Sequence, residues 1–340
     1  MTNVHLVGSV GLDTVPEVFA AAGKYLGPYL KRVPDGEVGG RRLWVSWQYP
    51  LLRASPFLQA EPAPSNSGVG FPVMRVADDV KPEEIRFGEL GYAREARASY
   101  IDFLAAREAG VLPRQVRFQV CLPTPYAVVT SFCAPASVPA ILPAYERAML
   151  HEAAAVCAVI PHGDLCLQWD VCHEMLTWDG RWPRRPAFSG MDRQFADAFA
   201  RLSAVVPRDV ELGIHLCYGD FEGRHFVEPQ DAAKMVELAN LVFGSVERAL
   251  AYIHMPVPIG RSDDAYFAPM KNLRLPPGTE LYLGLVHAQD GVEGTVKRMA
   301  TAKKHAPPFG IASECGISRA RKPEVVEEFF RVYAGAAATD

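Results

Sequence analysis

Residues 213–221 read GIHLCYGDF. An apolar run beginning at residue 210 leads into His215 and Cys217. On a β-strand, residues i and i+2 point to the same face, so one imidazole and one thiol aim at one spot where the strand ends. Further along, residues 313–319 read SECGISR. Cys315 again follows a short apolar run, with Gly316 behind it to let the backbone turn. Two sulfurs and one nitrogen suit Zn²⁺, and three protein ligands with an open fourth position is the arrangement of a catalytic zinc. The same residues also fit a plainer account. Cys is a common core residue, a strand-end His is often a satisfied polar group, and a lone HxC is a weaker signal than paired CxxC motifs.

Working outward from this strand, further apolar runs occur at residues 4–10, 30–33, 116–122, 164–169, 249–255, 280–286 and 309–312. Helical patterns lie at 83–109, 139–160, 192–206, 229–243, 292–305 and 324–334. Alternation of strand and helix argues for a parallel sheet. No GxGxxG follows the first strand and no GxxxxGK[ST] occurs, so the nucleotide-binding open sheets lose support. The polar residues of interest sit at or just past the carboxyl ends of strands. In a (β/α)8 TIM barrel those ends form one face, where groups from different strands converge. The expectation is therefore an α/β fold, a single (β/α)8 barrel over residues 1–340. Glu37 in the Gly-rich loop PDGEVGG (34–40), Asp170, His254 and His287 are candidates for the same pocket. The loop around Glu37 also reads as a simple turn with a solvated acid. A Pro-, Ser- and Gly-rich excursion at about 52–82 is long enough to be functional or mobile. It could serve as a lid or as a contact in a homo-oligomer.

The 340 residues, 49% of them hydrophobic, suffice for a large core. With a net charge of −4 and no dense Lys/Arg block, no nucleic-acid footprint is expected. Every apolar stretch is broken well before the ~20 residues that a membrane span needs. The first residues lack the charged and apolar regions of a secretory signal. Seven scattered Cys, an odd number without framework spacing, suit a reducing compartment, so a cytoplasmic location is expected.

Several blocks, in the right order, resemble the C-terminal catalytic barrel of cobalamin-independent methionine synthase, within the uroporphyrinogen-decarboxylase/methionine-synthase-like superfamily. HLVGSV (5–10) resembles its Ile-Gly-Ser-Phe opening, and PDGEVGG its Gly-Glu loop. VCLPTPY (120–126) is similar to its Gly-Pro-Val-Thr segment, and LCLQWDVCHE (165–174) to the strand ending Gln-Ile-Asp-Glu-Pro-Ala. HLCYGDF (215–221) is very close to the zinc motif His-Met-Cys-Tyr. ECGISR (314–319) resembles the Asp-Cys-Gly-Leu-Lys-Thr-Arg end, one residue shorter.

This resemblance implies Zn²⁺ held by His215, Cys217 and Cys315. It implies transfer of a methyl group to a thiol substrate activated as a zinc-bound thiolate, with a folate as one candidate donor. Glu37 and Asp170 would bind a substrate ammonium or polar group, with Ser9 and Trp169 beside them, and His287 would move a proton. The departures are specific. The family's Glu ligand is missing from ALAYIHMPVP (249–258), where His254 lies close to its place. His254 stands as a substitute ligand, a pocket-wall residue or a core histidine. His287 falls two residues before the family's proton-donating histidine, with Gln289 nearest that place. Trp169 and Cys172 replace an Ile and a Pro, so the pocket is reshaped. Glu314 and Arg319 read as an ion pair at the barrel rim. Two alternatives stand beside the transferase: a metal-free uroporphyrinogen-decarboxylase-like lyase using Arg41 and Arg42 near Asp35, and a non-catalytic small-molecule-binding barrel.

Overall fold

In the computed structural model, residues 2–63, 70–182, 189–220, 224–318 and 322–339 are described. The strands are β1 (Val4–His5), β2 (Arg32–Pro34), β3 (Leu58–Glu61), β4 (Val73–Val76), β5 (Arg117–Pro123), β6 (Leu165–Val171), β7 (Glu211–Leu216), β8 (Tyr252–Pro256), β9 (Glu280–Val286) and β10 (Phe309–Ser313), all but β3 and β4 falling on the apolar runs named above. Eight of them form one sheet in the order β1-β10-β9-β8-β7-β6-β5-β2, every pair parallel. A bridge between Val4 and Leu30 joins the two ends. The sheet thus closes on itself, and helices between the strands cover its outer face, as a (β/α)8 TIM barrel requires.

Strand alternation decides which side chains enter the barrel. On β6, Gln168 and Asp170 face inward. Trp169 faces out, its indole N–H donating to the Leu202 carbonyl on the helix Met191–Ala204 at 3.1 Å. The interior is packed in layers of hydrogen-bonded polar groups. At the amino end, Arg32 donates to Glu211 (2.5 Å) and Glu280 (2.8 Å) and lies over the Tyr252 ring. One layer up, Gln168 Oε1 accepts from the Tyr252 hydroxyl at 2.7 Å and lies 3.2 Å from His5 Nε2. Above it, at the carboxyl end, sit Asp170, His215 and His254.

Several boundaries differ from the sequence expectation. The first strand is only Val4–His5, because Gly8 and Ser9 leave the ladder before Val10 rejoins it by a bridge to Ile317. The helix expected from residue 83 starts at Tyr92, since the Glu152 carboxylate accepts the backbone N–H groups of Leu90, Gly91 and Ala93 and fixes that end. Short helices Pro125–Phe132 and His173–Asp179 had no clear periodic signal. Within the excursion at 52–82, β3 and β4 form an antiparallel pair, and residues 64–69 lie outside the described residues. Among the described residues, no helix is long and apolar enough to cross a membrane.

Candidate metal centre

His215 lies near the carboxyl end of β7 and Cys217 just past it, where the Cys217 N–H donates to the Val171 carbonyl at 3.0 Å. Cys315 follows the end of β10, and its carbonyl accepts from the Ser313 hydroxyl at 2.6 Å. The turn behind it must be glycine, because a Cβ on Gly316 would sit 2.1 Å from Ser9 Oγ. The donor atoms of His215, Cys217 and Cys315 all lie within 4.8 Å of one another, and all three residues are buried. Cys217 Sγ is 3.4 Å from Cys315 Sγ, which is 3.8 Å from His215 Nε2. Ligands placed tetrahedrally at ordinary Zn–S and Zn–N lengths are about 3.5–3.8 Å apart, so the donor set fits zinc. The Gly219 N–H, 3.2 Å from Cys217 Sγ, suits a thiolate there.

His254 lies outside this donor group. Burial lowers its pKa to about 3, so the ring is neutral. Its Nε2 is 3.0 Å from the Ser313 carbonyl, which needs a proton on that nitrogen. Its Nδ1 is then an acceptor for the His215 Nδ1–H, 2.7 Å away. The lone pair of His215 Nε2 is left facing the sulfurs. With both nitrogens of His254 engaged, this geometry supports a place behind His215, orienting it, rather than the substitute-ligand alternative.

Ser9, Glu37, Trp44, Asp170 and Cys172 line the pocket with the three donors. Its free space is only about 20 Å³, room for one water. Asp170 Oδ1 accepts from Gln168 Nε2 at 2.7 Å, and Oδ2 from the Trp44 indole at 3.2 Å. The Glu37 N–H donates to Asp35 at 2.9 Å; Asp35 itself takes Arg41 at 2.8 Å and Ser99 at 2.7 Å. Glu37, Ser9 and Asp170 thus line one pocket with the three donors. Trp169 does not: the alternation of β6 turns it away from the barrel onto a helix.

His287 is buried past the end of β9 and does not line this pocket. Its Nε2 lies 2.9 Å from the Val257 carbonyl, and burial lowers its pKa to about 3. Its Nδ1 is 4.0 Å from Glu314, whose other oxygen is 3.4 Å from Nε2 of the buried His225. Glu314 is therefore flanked by two histidines. Arg319, its expected rim partner, lies outside the described residues. Sequence reasoning missed His225 and Trp44. Trp44 opens the aromatic run WVSWQY (44–49), which carries no spacing that marks a site, and nothing local marks His225.

No protein-family model and no curated protein sequence matches this chain. Solved structures do. A B12-independent methionine synthase from Shewanella sp. W3-18-1, solved in complex with selenomethionine, aligns with a TM-score of 0.52 at 12% identity, covering 79% of this chain and 70% of that one. A protein of Listeria monocytogenes assigned as a vitamin-B12-independent methionine synthase aligns with a TM-score of 0.57 at 12% identity, over 100% of this chain and 98% of that one. The barrel is methionine-synthase-like. At this identity the likeness concerns the fold, and the chemistry must be argued from the site.

Proposed function

We propose that this protein is a zinc-dependent methyl or alkyl transferase acting on a thiol. The observation that carries the reading is the convergence of His215, Cys217 and Cys315 at the carboxyl face of the barrel. Zinc held there would lower the pKa of an incoming thiol and so supply a nucleophile at neutral pH. The chain's own groups do the rest. His254 keeps His215 in the tautomer that presents Nε2. Asp170 and Glu37 offer carboxylates to a polar or cationic part of the acceptor. The half-buried Glu314, 4.0 Å from His287 and 3.4 Å from His225, is the group beside the site that would carry a proton as the leaving group departs. The methyl donor is a second small molecule, with a folate as one candidate.

The ion pairs of Arg41 and Arg42 give the metal-free lyase reading less support. Arg41 is paired with Asp35, and Arg42 with the Leu12 carbonyl and Asp13, and these pairings favour a role in holding the loop. Metal analysis tests the transferase reading. Wild type purified without added metal should hold about one zinc per chain, as a three-ligand site would. Cys217→Ser and Cys315→Ser should each lose it. Wild-type protein that takes up no zinc even on reconstitution would sink the proposal.

A further inference from the structure

Trp44 has backbone angles of φ 55 and ψ −105, in the left-handed half of the map, where a bulky side chain is an outlier. Such strain persists only when the surroundings hold it, and it gathers at ligand clamps and switch regions. Here one hydrogen bond aims the side chain inward, from the indole N–H to Asp170 Oδ2 at 3.2 Å. The turn before it is pinned: Arg41 is bonded to Asp35, Arg42 to the Leu12 carbonyl, and the Ser318 hydroxyl to the Arg42 carbonyl. The Trp44 N–H itself donates to the Arg41 carbonyl at 2.8 Å, so the side chain is the part left to move. The ring lines the pocket, and with it in place only about 20 Å³ is free. The pocket as it stands is too small for an acceptor of several heavy atoms, and the Trp44 ring is one of the side chains that fill it.

We propose that Trp44 is the specificity gate of this site, closing the pocket by occupying Asp170 until a ligand with its own cationic N–H donor takes that oxygen and lets the strained residue swing out. This rests on the reading above, in which the polar end of the acceptor binds at Asp170 and Glu37. The gate selects by exchange. A thiol bearing an ammonium group replaces the indole hydrogen bond, whereas a purely alkyl thiol leaves Asp170 with one donor fewer and gains nothing for opening it.

The test uses the full chain. In metal-free wild type, labelling of Cys217 and Cys315 by 4,4′-dithiodipyridine, followed by mass spectrometry, should be slow. Trp44→Gly removes the plug and tolerates the positive φ, and labelling should accelerate by about tenfold or more, the effect of one lost hydrogen bond to a charged group. Trp44→Phe keeps the bulk without the donor and should fall between. In zinc-loaded wild type, cysteamine should change tryptophan emission at concentrations where ethanethiol does not, and Trp44→Phe should lose that difference. Labelling no faster in either variant than in wild type overturns the gate. Equal responses to the two thiols overturn its selectivity. Zinc content of the same samples separates these failures from failure of the metal site.

Discussion

Nδ1 of His215 lies 2.7 Å from Nδ1 of His254, and the Ser313 carbonyl lies 3.0 Å from the far side of the His254 ring. This chain of two hydrogen bonds sets which nitrogen of His215 faces the cysteines. Supporting partners of metal-bound histidines typically contribute 10–100-fold in affinity. His254→Ala should therefore weaken zinc binding by about that factor while one zinc per chain still binds at saturation. Competition with a chromophoric chelator measures both quantities. Loss of stoichiometry, as expected for Cys217→Ser, would make His254 a ligand after all.

Arg32 is 5% exposed at the amino end of the barrel, with Glu211 and Glu280 as partners. Removing the cation leaves Glu211 with Arg117 alone and Glu280 with Lys31 alone, and takes the shared charge out of the barrel interior. Arg32→Ala should cost about 3 kcal/mol of stability, read from urea unfolding. A change within about 0.5 kcal/mol, typical of a surface substitution, would mean that water already screens the cluster.

Glu174 is buried on the helix that follows β6, and burial raises its pKa from 4.5 to about 7 against the opposing hydrogen bond from Thr124. Its Oε2 has no hydrogen-bond partner among the described residues. Between these two pH values the native state keeps a proton that the unfolded chain has lost, so this group's contribution to stability falls as pH rises through that window. Glu174→Gln should be more stable than wild type at pH 8 by about 2–3 kcal/mol, with the advantage vanishing near pH 4. Unfolding midpoints at both pH values check this, and a constant difference would refute it.

Glu152, 2% exposed, accepts the N–H groups of Leu90 (2.6 Å), Gly91 (3.1 Å) and Ala93 (2.6 Å). Two buried donors and one half-buried donor lose their acceptor in Glu152→Ala, with a cost of about 3 kcal/mol. Hydrogen exchange should localise the damage to the start of the helix Tyr92–Glu108, and uniform loosening elsewhere would contradict this assignment.

Much of the site was legible because strand geometry is local. The spacing of His215 and Cys217 puts both on one face, and the run before Cys315 ends on the same rim. The same period carried a warning about Trp169: if Asp170 faces the barrel axis, its neighbour faces the helices. His225 and Glu314 gave no such signal, since each sits in a loop whose course no periodicity describes. The start of the helix at Tyr92 was likewise hidden, because the side chain that caps it belongs to another helix.

Residue order alone dictated the alternation of strand and helix, and with it the parallel barrel and the rim on which the candidate donors lie. Those features come from local hydrophobic periodicity. It took the closed barrel to establish that Cys315 reaches Cys217, that His254 stands behind His215, and that Trp44 covers Asp170. Each of these depends on ring closure bringing distant segments within hydrogen-bonding distance, and on which atom of a side chain is already occupied. Neither quantity is encoded in the spacing of residues along one strand.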